Sequence, residues 1–401
     1  MPKPADWVPV RFPAHAGPEW LSLLAGTLFN TVVIGDAAAA KPLIDAARAQ
    51  GFAIASTKET PQPVVAVPDV VWPHVRLQQR GGEAGPTGSP WLDSNGWRIQ
   101  LWQARLPGWI VWPLAEAPAD TVLRPEHYLI AIADAAMYGA RWPLTVREAL
   151  RINAADWKRL CDAVAFFEAR RNDGFRPVAK LGICSTFQGP NQDLAEETLN
   201  LASRRLLPYR VIDRKKLAPD QLDGLQAVLW LEEQGPSGPA AEALPKFVKS
   251  GGLLIVPASL AHVSGGLKPA ARQRDGYAVF TSGAGTVAVA RKPWTDPFLL
   301  AEDAHMLLSR KHDVIRLWNA GVVTVRYSEA AAGHGRAELV NFAGRPFGHP
   351  MSLWVAKQYR TGRLTILGET EPRPLALTRR HDGTELHLPP FDVYAAVDLE
   401  S

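Results

Sequence analysis

The stretch GPAAEALPKFVKSGGLLIVPAS, Gly238–Ser259, decides the fold class. Its first half has helical composition and ends on Gly251 and Gly252, the residue type that closes helices by taking a left-handed backbone. Its second half, LLIVPAS, is an apolar run of buried-strand length. A helix leading straight into a buried strand is the crossover that parallel strands require. Upstream the pattern repeats. VAKLGICST (Val178–Thr186) reads as a strand, NQDLAEETLNLASRRL (Asn191–Leu206) as a helix, YRVIDRKKL (Tyr209–Leu217) as a strand with its exit, and AVLWLEE (Ala227–Glu233) as a buried strand. Three or four strands with two intervening helices predict an open, doubly wound, flavodoxin-like sheet over 177–292. No G-x-G-x-x-G or G-x-x-x-x-G-K-[ST] follows these strands, so nucleotide binding is not indicated.

Before this region, residues 1–176 also alternate strands and helices. TVVIG (Thr31–Gly35), the helical AAAAKPLIDAARAQ (Ala37–Gln50) and FAIAS (Phe52–Ser56) form a parallel strand–helix–strand unit. VVAVPDV (Val64–Val70), WRIQLW (Trp97–Trp102), GWIVWPL (Gly108–Leu114) and RWPLTV (Arg141–Val146) read as further strands, and HYLIAIADAAMYG (His127–Gly139) and Ala154–Arg171 as helices. The alternation predicts a (β/α) barrel that is short or incomplete, since a full one takes about 250 residues. After the middle region, residues 293–401 change period. A helix, DPFLLAEDAHMLLSRKH, is followed by short strands separated by turn residues, with His381–Gly383 as a hairpin turn, which predicts an antiparallel β-sandwich.

Composition narrows the function. The 401 residues are 47% hydrophobic and 21% charged, enough for two or three cores. The net charge of +4, with no basic face, argues against a nucleic-acid partner. No apolar run approaches the roughly 20 residues that span a bilayer, so no membrane partner is expected. MPKPADWVPVRF carries no signal-peptide core, so the default expectation is a cytoplasmic protein, or an exported one if a signal was removed. Two cysteines, Cys161 and Cys184, exclude a disulfide scaffold. The ten histidines show no H-x-x-x-H or H-x-H spacing and there is no D-x-D-x-D-G loop, so neither metal nor cofactor is expected. Ten of the 14 tryptophans precede residue 160. Such rings serve core packing or the stacking of sugar rings.

The segments VAKLGICST, LLPYRVIDRKKL, LDGLQAVLWLEE and ALPKFVKSGGLLIVP resemble the glutamine-amidotransferase-like domain that follows the catalytic barrel in β-galactosidase-type glycoside hydrolases. The order barrel, amidotransferase-like domain, β-sandwich is the same. The resemblance implies a carbohydrate substrate, self-association through the middle domain, and no amide chemistry there. It covers 177–292 well and the rest only in architecture, and no matching pair of catalytic Glu motifs is found in the first region. Cys184 falls within a strand rather than on an elbow, and His262 lacks a glutamate two residues on, so Cys184 reads as a buried small hydrophobe.

The segment GPTGSPWLDSNGWRIQLWQ (Gly85–Gln103) is the most unusual in the chain. Asp93-Ser94-Asn95-Gly96 is strong turn chemistry. The same residues also suit a ligand site, with Trp91 and Trp97 as walls and Asp93 and Asn95 bonding sugar hydroxyls. Barrel enzymes carry functional residues just after strand ends. That rule picks Asp36, Asp69, Trp72, Glu116 and Arg147 or Glu148. Glycoside hydrolysis needs two carboxyl groups about 5 Å apart for retention or roughly 6.5–9.5 Å for inversion. Asp93, Glu116 and Asp69 are the catalytic candidates. Trp72, Trp91, Asn95, Trp97, Trp112, Arg141 and Trp142 are the substrate-binding candidates. Asp134, on an apolar helix, is expected to pair with Arg141 or to touch substrate. The leading expectation is a glycoside hydrolase acting on an oligo- or polysaccharide in a Trp-lined cleft. The alternatives are a non-catalytic saccharide-binding or assembly protein of degenerate glycosidase build, and an amidotransferase relative acting near Cys184.

Overall fold

The computed structural model describes residues 2–35, 40–68, 70–73, 75–78, 81–84, 92–118, 120–171, 173–271 and 273–401. The unit read from Thr31 to Ser56 forms as expected: β2 (Thr31–Ile34), α1 (Lys41–Ala49) and β3 (Ala53–Ser56), with Gly51 closing the helix at φ +85°. Ahead of it lies β1 (Pro9–Arg11), and after it β4 (Val64–Val67), β5 (Ile110–Pro113) and β6 (Leu144–Thr145). All six strands are parallel, in two ladders, β3-β2-β1-β6 and β4-β5. The Arg141 N–H donates to the Val111 carbonyl at 3.0 Å and brings the ladders side by side. A short antiparallel pair joins 75–78 to 81–84. One face of the strands packs Val33, Ala53, Ala55 and Val64 against Trp7 and Trp112. The other packs Val10, Val32 and Ile34 under α3 (Pro125–Met137) and α4 (Ala154–Ala169).

WRIQLW is not a strand. Gly96–Arg105 is a helix, α2. Its apolar residues alternate because it serves two cores. Ile99 and Trp102, three apart, pack into the first segment. Trp97, Leu101 and Ala104, spaced four and three apart, pack into the middle segment. A helix with apolar stripes on opposite sides gives a period close to that of a strand.

The middle segment contains β7 (Leu181–Ser185), α5 (Gln192–Arg204), β8 (Tyr209–Asp213), β9 (Ala227–Trp230), α6 (Pro239–Lys249) and β10 (Leu253–Val256). Beyond the three or four strands expected, the sheet continues with the hairpin β11 (Tyr277–Ser282) and β12 (Gly285–Ala290). The strand order is β8-β7-β9-β10-β12-β11, ending on the short strand 268–269. The first five run parallel, and β11 is antiparallel to β12. Side chains alternate between two faces. Leu181, Ile183, Leu229 and Ile255 pack with α5 and with Leu300, Ala304 and Leu308 of α7 (Pro297–Leu308). Cys184, Val228, Trp230 and Val256 pack with α6.

The last segment is antiparallel. β13 (Ile315–Trp318), β16 (Met351–Val355), β19 (Gly383–Leu388) and β18 (Leu377–Arg380) form one sheet in that order. β17 (Thr361–Ile366), β20 (Tyr394–Glu400), β15 (Gly335–Asn341) and β14 (Val323–Glu329) form the centre of the other. The two share one core, including Leu339, Leu353, Leu386 and Val397. The hairpin turn falls at His381-Asp382, as read, since Arg380 pairs with Gly383. Residues 176–177, between the first and middle segments, pair with Glu329 and Ser328 at the edge of the last segment. Among the described residues, no helix is long and apolar enough to cross a membrane.

Leu101 is 1% exposed, and truncating a buried leucine costs about 2–5 kcal/mol. Leu101→Ala is therefore expected to lower the denaturation midpoint strongly in equilibrium unfolding. A loss under about 0.5 kcal/mol, the size of a surface substitution, would contradict the helix and its second apolar stripe.

Candidate functional site

Of the residues that the barrel rule selects, Trp72 follows β4, Glu116 follows β5, and Arg147 and Glu148 follow β6. Arg11, the last residue of β1, forms an ion pair with Glu116, which follows β5 and is 64% exposed. Arg147 donates to the carbonyls of Ala117 (2.5 Å), Pro118 (2.9 Å) and Thr121 (2.7 Å), which fixes the loop after β5. Glu148 is paired at the surface with Arg151 at 2.5 Å. Asp36, Asp69 and Trp91 lie outside the described residues.

The residues 94–96 form a buried knot around α3. The Ser94 hydroxyl donates to Asp134 Oδ1 at 2.6 Å, and the Asn95 N–H donates to Oδ2 at 2.8 Å. The Asn95 side chain is used by the chain itself. Its Oδ1 accepts from the Val71 N–H at 2.9 Å and its Nδ2 donates to the Val71 carbonyl at 2.8 Å. Gly96 lies on the ring of Tyr138, where an added Cβ would fall 2.1 Å from Cε2, so any other residue would have to displace that buried ring. Asp134 is fully buried, and its partner is this knot rather than Arg141. Burial pushes its carboxyl up to about 7, against the pull of the Ser94 and Asn95 hydrogen bonds. The turn chemistry legible in Asp93-Ser94-Asn95-Gly96 is thus the entry to α2, and it anchors a buried acid.

Of the indoles expected to bind substrate, Trp72, Trp112 and Trp142 are buried in ring packing. Trp112 is 0% exposed and lies 6.1 Å from Trp7. Trp72 and Trp142 are buried edge to face at 5.2 Å, and Trp72 meets Tyr128 in the same way at 5.3 Å. Their indole N–H groups have no hydrogen-bond partner among the described residues. Trp97 is half-buried against the middle segment, with the Arg98 guanidinium 4.5 Å over its ring. Arg141 is fully engaged, bidentate to Glu168 at 2.9 and 2.7 Å and donating to the Ala5 carbonyl at 2.7 Å. Burial raises the Glu168 carboxyl, but the hydrogen bonds from Arg141 and Arg171 outweigh it and hold the group below its ordinary value. Asp93 is half-buried and close enough to Arg204 of α5 to favour that charge. The structure therefore sets Asp93 towards α5 and Glu116 towards β1.

At the carboxyl edge of the middle sheet, the Cys184 thiol is buried on the sheet face and burial drives it well above its usual range. The polar cluster there is a different one. Glu232, after β9, accepts from Ser185 Oγ at 2.8 Å and the Thr186 N–H at 2.5 Å, and pairs with Arg214 at 3.1 Å. Its signal in the sequence is Ser-Thr at the end of the first strand and Glu after the third.

No family model and no curated protein sequence matches the chain. Solved structures do resemble it. An α-L-fucosidase (isoenzyme 2) from Paenibacillus thiaminolyticus is 9% identical with a TM-score of 0.53, over 79% of this chain and 63% of that one. A GH42 β-galactosidase from G. stearothermophilus is 12% identical with a TM-score of 0.51, over 76% and 56%. A rhamnosidase from Novosphingobium sp. PP1Y is 11% identical with a TM-score of 0.54, over 91% and 38%. The chain thus has a multidomain fold like that of glycoside hydrolases, and it spans less than two thirds of the length of each of these structures.

Asp134 yields a pH prediction. The folded protein holds its proton up to about pH 7, the unfolded chain only to about pH 4. Stability from this group is full below about pH 4 and is lost as the pH rises to 7, by at most about 4 kcal/mol. Asp134→Asn is expected to flatten that part of the stability–pH profile in denaturant titrations run from pH 4 to 8. A variant with the wild-type slope would contradict the assignment.

Proposed function

We propose that this is a carbohydrate-active protein in which a glycosidase frame binds saccharide without hydrolysing it. In this reading, residues 1–176 are an incomplete (β/α) barrel of six strands. Residues 177–292 are the amidotransferase-like sheet and residues 293–401 the β-sandwich. The observation that carries it is the likeness to three kinds of glycoside hydrolase, each spanning three quarters or more of this chain. The state of the expected residues favours binding over hydrolysis. Trp72, Trp112 and Trp142 are used in packing, Asn95 and Arg141 are held by the chain, and Glu116 is held by Arg11. The hydrolytic reading keeps Glu116 as one member of an acid pair, because it is exposed at the end of β5 where the frame places chemistry. Asp93 and Asp69 are its candidate partners.

A glycan panel read for both binding and reducing-end release separates the two. The binding reading expects affinity without release, and Glu116→Gln and Asp93→Asn changing nothing in the release channel. Release that falls at least about 100-fold in either variant would overturn it in favour of hydrolysis. Absence of both binding and release across the panel would overturn the carbohydrate assignment.

A further inference from the structure

A small recess lies where the end of α5, the end of α7 and β13 meet, about 210 Å³ in volume. Arg205, His305, Arg310, Asp313, Arg316 and Trp318 line it. Three guanidinium groups thus face one carboxylate. That carboxylate is already shared, with His305 Nε2 at 2.7 Å and Arg316 Nε donating at 2.8 Å. Arg205 pairs outside the recess with Glu302 at 3.1 Å, and its Nε is buried with no hydrogen-bond partner among the described residues. Arg316 is fixed by stacking on Trp354 at 4.3 Å and by donating to the Arg310 carbonyl at 2.7 Å. The exposed Arg310 side chain forms no ion pair among the described residues. Trp318 is 47% exposed at the rim, an unusual setting for so large an apolar ring.

The backbone singles out the same place. Four non-glycine residues among those described have left-handed φ, and three of them border this recess: Leu206 (54°) in its lining, Ser309 (72°) immediately before Arg310, and Asn319 (60°) immediately after Trp318. Leu206 and Ser309 close α5 and α7, where a positive φ terminates a helix, and as non-glycine residues they carry a modest cost. The guanidinium of Arg310, without an ion pair among the described residues, together with an orphaned buried donor on Arg205 and an exposed indole, calls for a ligand that is anionic on one side and ring-shaped on the other.

We propose that this recess binds an anionic saccharide unit, a single sugar ring carrying a carboxylate or a sulfate. Arg310 and Arg205 meet the charge and Trp318 supports the ring. The volume falls below the roughly 300–1,000 Å³ of drug-sized pockets, which fits one ring rather than several. The proposal rests on the carbohydrate reading above but names a different site.

Calorimetric titration of the full chain at low salt tests it, with trigalacturonate, a sulfated galactose trisaccharide, the neutral galactose trisaccharide and sodium sulfate as probes. Arg310→Gln and Trp318→Ala change exposed side chains, and an unchanged denaturation midpoint in each verifies that the fold is kept. At least one acidic trisaccharide is expected to bind about tenfold or more tighter than the neutral one, and the better of the two identifies the oxyanion. Arg310→Gln is expected to remove that advantage, and Trp318→Ala to weaken the acidic sugar about fivefold while leaving sulfate unaffected. Equal binding of acidic and neutral sugars, or indifference to Arg310→Gln, overturns the site and leaves the carbohydrate reading standing. Sulfate bound as tightly as the sugars overturns the saccharide assignment. Failure of every saccharide overturns the site, and the glycan panel above decides the carbohydrate reading separately.

Discussion

Helix α2 is the constraint on which the arrangement of the chain depends. Its ten residues, Gly96–Arg105, lie between β5 and α3 on one side and α5 and β8 on the other. Ile99 and Trp102 belong to one core, and Trp97, Leu101 and Ala104 to the next. Both ends are tied. Its start rests on Tyr138 through Gly96, and at its end Arg105 donates to the Phe187 carbonyl at 2.7 Å while accepting from Lys216. An amphipathic helix buries one stripe, and a helix with two must lie between two bodies. That position joins the first parallel strands to the middle sheet without a flexible linker.

The antiparallel segment is joined to the first by a polar seam set in aromatic packing. Phe166 and Phe167 of α4 meet Tyr394 edge to face at 5.8 and 4.9 Å. The Tyr394 hydroxyl donates to Glu338 at 2.7 Å. Arg326 donates to the Met137 carbonyl and lies 5.2 Å over Tyr138. Burial pushes the Glu338 carboxyl up, opposed by the Tyr394 hydrogen bond and by nearby Arg326, Arg336 and Arg170. Buried charge of this kind is tolerated only with partners in place, so the seam fixes orientation as well as contact.

Much of the fold was legible because local signals agreed with global ones. Gly51, Gly139 and the glycines at 251–252 mark helix ends, and the apolar runs of β2, β7, β9 and β10 are long enough to read as buried strands. WRIQLW was misread because a helix serving two cores imitates strand alternation. The hairpin β11–β12 was missed because Thr, Ser and Gly dilute its pattern. The indoles show where composition stops being informative. Trp72, Trp112 and Trp142 are as suited to a sugar cleft as to a core, and only the position of neighbouring strands decides between them. Arg141 reads as a substrate-binding residue and a partner for Asp134 because its actual partner, Glu168, lies 27 residues away and no local pattern links them. The cationic recess at Trp318 was invisible for the same reason, since its residues come from three separate elements.

A frame welded by α2 holds the ends of the first-segment strands in fixed relation to the middle sheet. Hydrogen exchange resolved along the chain tests the weld most directly. The amides of Ile99–Arg105 should exchange only as slowly as those of Leu181–Ser185, through unfolding of both bodies together. Rapid exchange in α2 while those strands stay protected would show that the helix is peripheral, and would contradict the account.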